Sequence, residues 1–192
     1  ANAAEEITSV EINETNFPDA IFREYVKENF DTDGDGVLSA EEIAAVTEID
    51  VHNKGISDLT GIEYFENLEC LDCSLNKLTT LDLNNNTALI ELNCELNQLT
   101  SLDVSSNTAL LHLSCHSNQL TSLDISSNTA LIDLECGENR LTSLDVSNNT
   151  ALEWLKCYDN QLTSLDVSNN TALTRLSCYN NQLTSLDISE NT

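Results

Sequence analysis

Basic residues are scarce in this chain. Seven Lys and Arg stand against 33 Asp and Glu in 192 residues, giving a formal net charge of −26. Nucleic acid and anionic membrane surfaces are held through clustered Lys and Arg, so the composition argues against both as partners. Aromatic residues make up 5% of the chain, so any core must be built from aliphatic side chains. No apolar run approaches the roughly 18 residues of a membrane-spanning helix, and no membrane insertion is expected. Methionine is absent. The chain opens Ala1-Asn2-Ala3-Ala4, which fits the remnant of a small-residue export cleavage site. It stops inside a repeat at Ser189-Glu190-Asn191-Thr192, where Ala-Leu should come next, so further sequence is expected. No Ser-His-Asp order and no phosphate-cradling loop is visible, and an enzyme is not expected.

What is present is a period. Cys73, Cys94, Cys115, Cys136, Cys157 and Cys178 follow one another every 21 residues. A fixed period of this size marks a solenoid in which each copy touches its neighbours. One copy reads Leu110-Leu111-His112-Leu113-Ser114-Cys115-His116-Ser117-Asn118-Gln119-Leu120 and then Thr121-Ser122-Leu123-Asp124-Ile125-Ser126-Ser127-Asn128-Thr129-Ala130. Alternation around Leu113 and Cys115 is the period-2 signal of a half-buried strand. Leu123 and Ile125 repeat that signal in the second half. The spacing predicts two short strands per coil, with thiols and leucines inward and an asparagine at each bend. A bend asparagine can donate to and accept from the backbone of the next coil. Stacked thiols project the same way, which does not suit the disulfide dihedral near ±90°; they are expected as small buried apolar groups. Cys70 falls outside this column, at an outward position, and is expected to be the one reactive thiol.

The L-x-x-L-x-C-x-x-N-x-L half and the L-x-x-L-D-V-x-x-N half resemble a 21-residue class of bacterial leucine-rich repeats. Residues 68–192 carry six copies. Residues 46–67, with Val46, Ile49, Val51, Ile56 and Leu59, read as a divergent first coil. That coil and the Ser57-Asp58-Leu59 step are similar to internalins, bacterial surface proteins that bind host receptors. The resemblance implies a mostly β leucine-rich-repeat solenoid of about seven coils over 46–192. It also implies a secreted or cell-surface location.

Residues 1–45 do not repeat and are expected to form a small helical cap. Pro18 suits a first helical turn with Asn16 or Phe17 at the cap, and Ile21, Phe22, Tyr25, Val26 and Phe30 follow at helical spacing. Asp31-Thr32-Asp33-Gly34-Asp35-Gly36-Val37-Leu38-Ser39-Ala40-Glu41-Glu42 then matches D-x-D-x-D-G-x5-E, the pattern of an EF-hand-like calcium loop. Asp31, Asp33 and Asp35 supply carboxylates, Val37 a main-chain carbonyl, Ser39 a direct or water-mediated contact, and Glu42 two oxygens. The expected cofactor is Ca2+.

Outward residues of the first halves vary from copy to copy, while those of the second halves stay Ser or Thr, Asp and Ser. Trp154, Lys156, Tyr158, Arg175 and Tyr179 gather on the last two coils. Exposed Trp, Tyr and Arg are residue types that dominate binding energy, so these five are the candidate partner-binding residues. The expected partner of this chain, taken as a monomer, is a protein, such as a host receptor. Carbohydrate stacking on Trp154, Tyr158 and Tyr179, or service as a passive spacer, remain alternatives.

Overall fold

The computed structural model describes residues 9–191. The export remnant expected at Ala1–Ala4 lies outside them. Nine strands and two α-helices follow one another, in the order β1 (Ser9–Glu11), α1 (Ala20–Phe30), β2 (Val37–Ser39), α2 (Ala40–Ala45), β3 (Glu48–Asp50), β4 (Cys70–Asp72), β5 (Glu91–Asn93), β6 (His112–Ser114), β7 (Asp133–Glu135), β8 (Trp154–Lys156) and β9 (Arg175–Ser177). Strands β3 to β9 form one parallel sheet in sequence order. Its register is direct, with Leu71, Leu92, Leu113, Leu134, Leu155 and Leu176 stacked in one row.

The inward columns are those the period predicts. Leu113, Cys115, Leu120 and Ile125 are buried, as are their equivalents in neighbouring coils. Cys73, Cys94, Cys115, Cys136 and Cys157 have no exposed surface, and all seven thiols are unbridged. Burial pushes the Cys115 thiol up to about 12, which disfavours the thiolate form there.

The second halves differ from expectation. Leu102, Val104, Leu123, Ile125, Leu144, Val146, Leu165 and Val167 are buried, but no strand forms there. Alternation sets where side chains point; it does not by itself align carbonyls with the amides of the next coil. Here Asp103 Oδ1 accepts from Ser105 N at 2.9 Å, a local Asx turn that shapes the bend after the extended segment. The same turn recurs at Asp82, Asp124, Asp145, Asp166 and Asp187. The solenoid therefore has a sheet on one side only.

Two asparagine columns hold the bends. In the first, Asn118 Nδ2 donates to the carbonyls of Cys94, Cys115 and His116, and its Oδ1 accepts from Leu99 N at 2.9 Å. In the second, Asn128 Nδ2 donates to Val104 O and Asn107 O, both at 2.9 Å, while its buried Oδ1 has no partner. Each first-column asparagine follows a residue with positive φ, among them Leu75 (55°), Leu96 (53°) and Glu138 (51°). Non-glycine residues rarely adopt that conformation. Inter-coil bonds such as Leu96 N to His116 O at 3.1 Å impose it.

The cap seals the front end. Helix α1 is N-capped by Asp19, whose Oδ1 accepts from Ile21 N and Phe22 N. Pro18 thus precedes the cap rather than entering the first turn, and neither Asn16 nor Phe17 caps the helix. The other oxygen of Asp19 accepts from Ser57 N at 2.9 Å and Ser57 Oγ at 3.1 Å, so one carboxylate both starts the helix and ties it to the first coil. Phe22 and Val26 are buried, whereas Ile21 is exposed. Phe17 packs edge-on to Phe22 and Tyr64. Gly61, at φ 106°, permits that junction: a Cβ there would stand 2.3 Å from the Phe17 ring.

Candidate functional site

The calcium-type loop runs from the end of α1, through β2, into α2. Its backbone orients its own carboxylates. Asp31 Oδ1 accepts from Gly34 N at 2.8 Å and Asp35 N at 3.2 Å, and Asp31 Oδ2 accepts from Gly36 N at 3.0 Å. Gly34 and Gly36 take positive φ, which lets those amides converge. Asp31, Asp33 and Asp35 each bring one oxygen within 4.8 Å of the others. Among the described residues no basic side chain pairs with them. The chemistry of this set fits a hard cation that prefers oxygen ligands.

Ser39 and Glu42 are arranged differently from the three aspartates. Ser39 is the N-cap of α2 and forms a capping box with Glu42. Glu42 Oε2 accepts from Ser39 N and Oγ, and its Oε1 accepts from Thr32 N and Oγ1, both at 2.6 Å. The Thr32 hydroxyl, then the backbone amides of Ser39 and Thr32, hold the Glu42 carboxyl down at about 2. Val37 lies in β2, which pairs with β1 in the register Val10↔Leu38. Residues 9–11 thereby cover the loop's open strand edge, and Val10 and Leu38 are both buried.

The sheet face is the second candidate. At its far end Trp154 and Arg175 are register neighbours on β8 and β9, and the Arg175 guanidinium lies 3.8 Å over the Trp154 ring. Lys156 Nζ is 5.7 Å from the same ring and pairs with Glu135 at 2.7 Å. Tyr158 and Tyr179 stack with centroids 4.9 Å apart and planes 9° from parallel. Tyr179 is 58% exposed. The structure thus arranges four of the five sequence-predicted residues in two stacked pairs, with Lys156 beside the Trp154 ring. It also adds two residues that sequence reasoning missed. Gly137 lies beneath Tyr158, where a Cβ would come within 2.9 Å of the ring, and Glu135 anchors Lys156. A glycine in an otherwise side-chain-bearing outward column was the available signal.

The opposite end of the face is acidic. A groove of about 510 Å³ over β3–β7 is lined by Glu48, Asp50, Asp72, Glu91, Glu95 and Asp133, among others. His112 Nδ1 meets Asp133 Oδ2 at 2.6 Å and His116 Nε2 meets Glu95 Oε2 at 2.9 Å. His52 Nδ1 meets Asp50 Oδ1 at 2.7 Å, a bond that lowers the Asp50 carboxyl and raises the imidazole. Cys70 is only partly exposed. Burial, with help from Glu91, Glu48 and Glu69, raises its thiol, which disfavours the thiolate form.

No family model matches the chain. Internalin J of Listeria monocytogenes is 45% identical over 71 residues, covering 37% of this chain and 8% of that protein. The solved functional domain of InlJ from the same organism, a structure that includes a cysteine ladder, is 34% identical with a TM-score of 0.62. The match covers 96% of this chain and 50% of that one. Internalin C2 of Listeria monocytogenes shares the fold at a TM-score of 0.71 and 20% identity, over 100% of this chain and 96% of that structure. The chain therefore spans half of the InlJ domain, and its matched segment under a tenth of the full internalin J. Repeat length, one-sheet solenoid and thiol column agree with these similarities: the chain is an internalin-like leucine-rich-repeat protein.

Proposed function

We propose that the chain is a recognition module of a secreted or cell-surface bacterial protein, that its sheet face binds a protein partner, and that calcium stiffens its cap. One observation carries the partner reading. In a chain almost without aromatic residues, Trp154, Arg175, Tyr158 and Tyr179 are stacked and presented at one end of the variable face. Stacking orders these side chains before a partner arrives, which lowers the entropy cost of binding. Attachment to sugars is less favoured by the same geometry. Arg175 covers the Trp154 ring, and Tyr158 lies between Gly137 and Tyr179. Tyr179 alone is left as a well-exposed platform.

Arrayed extracellular protein domains and glycans, probed with the purified chain, test this reading. Binding to a protein domain should weaken by about tenfold or more with Tyr179→Ala, as for a hot-spot residue. Gly137→Ala should weaken it too by displacing Tyr158. Binding to glycans alone, or indifference to both substitutions, would overturn the proposal.

In the cap, Asp31, Asp33 and Asp35 would hold the ion, with the Val37 carbonyl, Ser39 and Glu42 completing the set. When bound, calcium supplies positive charge that removes the mutual repulsion of the carboxylates. Calcium at about 100 times its dissociation constant should stabilise the fold by ~2.7 kcal/mol. Glu42→Gln keeps the capping box, because Gln serves at that position, but should abolish most of the gain. Calorimetry showing no heat and no shift in Tm with calcium would remove the metal from the account.

A further inference from the structure

Three donor side chains of two kinds meet at the first rung of the sheet. Asp50 on β3 and Asp72 on β4 are register partners, each placed just past a buried strand residue, Ile49 or Leu71. His52 follows Asp50 by two residues, and its Nδ1 stands 2.7 Å from Asp50 Oδ1. One donor atom from each of the three lies within 4.8 Å of the others. Donors that share an ion at about 2.1 Å stand about 3.0–3.4 Å apart, so side-chain rotation alone can close the set. The backbone on both sides of His52 is tied to the next coil, Val51 N donating to Asp72 O at 2.8 Å and Asn53 N to Ser74 O at 2.9 Å. Asp72 is itself oriented: its Oδ1 accepts from Ser74 Oγ at 2.6 Å and its Oδ2 from Asn93 Nδ2 at 3.3 Å. Outer hydrogen bonds of this kind hold a carboxylate in place for a metal.

The combination belongs to this rung. The same three positions one coil on hold Asp72, Ser74 and Asn93. Among the described residues, the other group of three convergent metal donors is Asp31, Asp33 and Asp35, which has no imidazole. That difference sets the chemistry. Three carboxylates suit a hard cation such as calcium, whereas an imidazole with two carboxylates suits a borderline first-row dication. The ligand form of histidine is the neutral ring, so no protonated imidazole is needed. Two carboxylates balance the charge of one dication. Lys54, the nearest base in sequence, makes no ion pair among the described residues and stands over the Tyr25 ring at 5.5 Å. We propose that Asp50, His52 and Asp72 are a metal site, separate from the cap loop, that takes a transition-metal dication such as zinc. Three protein ligands leave a fourth position open. Asp50 and Asp72 also line the groove over the sheet, so that position is reachable from the variable face. The site stands whether or not that face binds a protein.

Zinc itself is the probe. Calorimetry of the whole chain, in buffer with millimolar calcium to engage the cap loop, should show one tight zinc-binding event. His52→Ala and Asp72→Asn should each weaken it by about tenfold or more, because groups that merely orient a ligand are already worth about 10–100-fold in metal affinity. Glu48→Gln on the same strand and His112→Gln further along should leave it unchanged. The unsubstituted chain gives a second readout that does not depend on how variants fold. The sequence has three histidines, so imidazole nitrogen NMR spectra report which ring takes the metal, and the His52 ring should shift first on titration. Zinc binding that disappears in millimolar calcium would be general attraction of cations to an acidic chain and would overturn the proposal. So would a first shift at His112 or His116, or zinc affinity unchanged by His52→Ala.

Discussion

The two halves of each coil share a leucine pattern yet solve the same problem differently. The first half closes its backbone into a ladder, β3 to β9, and adds an asparagine whose donors and acceptor are all used. The second half has no ladder. Its shape depends on side chains, on the Asp-to-Ser turn and on an asparagine that leaves one acceptor unmatched. The difference explains which side can diversify. Where the backbone fixes the strands, outward residues are free to become His, Glu, Trp or Arg. Where Asp and Ser fix the bend, only residues that keep the turn can replace them, as Asn84 does opposite Asp82. Monotony on that side reflects a structural duty and says nothing about binding.

The largest test of this contrast is a pair of substitutions. Asn118→Ala strips four hydrogen bonds from buried backbone groups and should cost about 3–4 kcal/mol, whereas Asn128→Ala strips two and also removes an unmatched oxygen, costing about 1–2 kcal/mol. Urea midpoints at unchanged m-value measure both. Equal losses would erase the distinction between the columns.

A middle-sized effect concerns acid. The Ser105, Ser126 and Ser147 hydroxyls, with the backbone amides of the same residues, lower the Asp103, Asp124 and Asp145 carboxyls; at Asp166 and Asp187 the amides of Ser168 and Ser189 lead. A carboxyl depressed on folding contributes stability above its unfolded pKa of about 3.9, and loses it as pH falls through the folded value. Melting temperature should therefore drop on acidification below about pH 4. Replacing the five by Asn, which can keep the turn, should flatten that drop. A profile unchanged by the replacement would place the acid sensitivity in the cap, where Glu42 sits at about 2.

The smallest effect lies in the first half. Leu96 is exposed and has a φ of 53°. Asn tolerates that region better than Leu, as Asn53 and Asn180 do in their own coils. Leu96→Asn should stabilise by roughly 0.5–1 kcal/mol, read as a small rise in Tm. A loss instead would mean that the leucine stem contributes packing across coils.

Side-chain direction was legible in the sequence because a period of 21 repeats the same inward choice six times. Leu113, Cys115 and Leu123 could be placed from alternation alone. Backbone pairing was not, since alternation is identical in a strand and in an extended segment closed by Asx turns. The D-x-D-x-D spacing of the loop places Asp31, Asp33 and Asp35 within reach of one another. The motif gave Ser39 and Glu42 as ligands, and the S-x-x-E spacing that also makes them a capping box was overlooked. The start of α1 was misplaced because Pro18 was read as a first-turn residue, while the carboxylate at Asp19 had two amides and Ser57 to serve. Contacts between coils, such as Arg175 on Trp154 or Tyr158 on Gly137, depend on rotamers chosen across a gap of 21 residues. No single copy contains that information.

Direct register between successive strands has an evolutionary corollary. Loss or gain of one whole copy would reseal identical junctions and leave every surviving coil intact. What would change is the distance between the acidic groove and the aromatic end, by about 4.8 Å per copy. Unequal exchange within the gene would thus act as a ruler with fixed graduations, matching this surface to partners of different span while its chemistry stays the same.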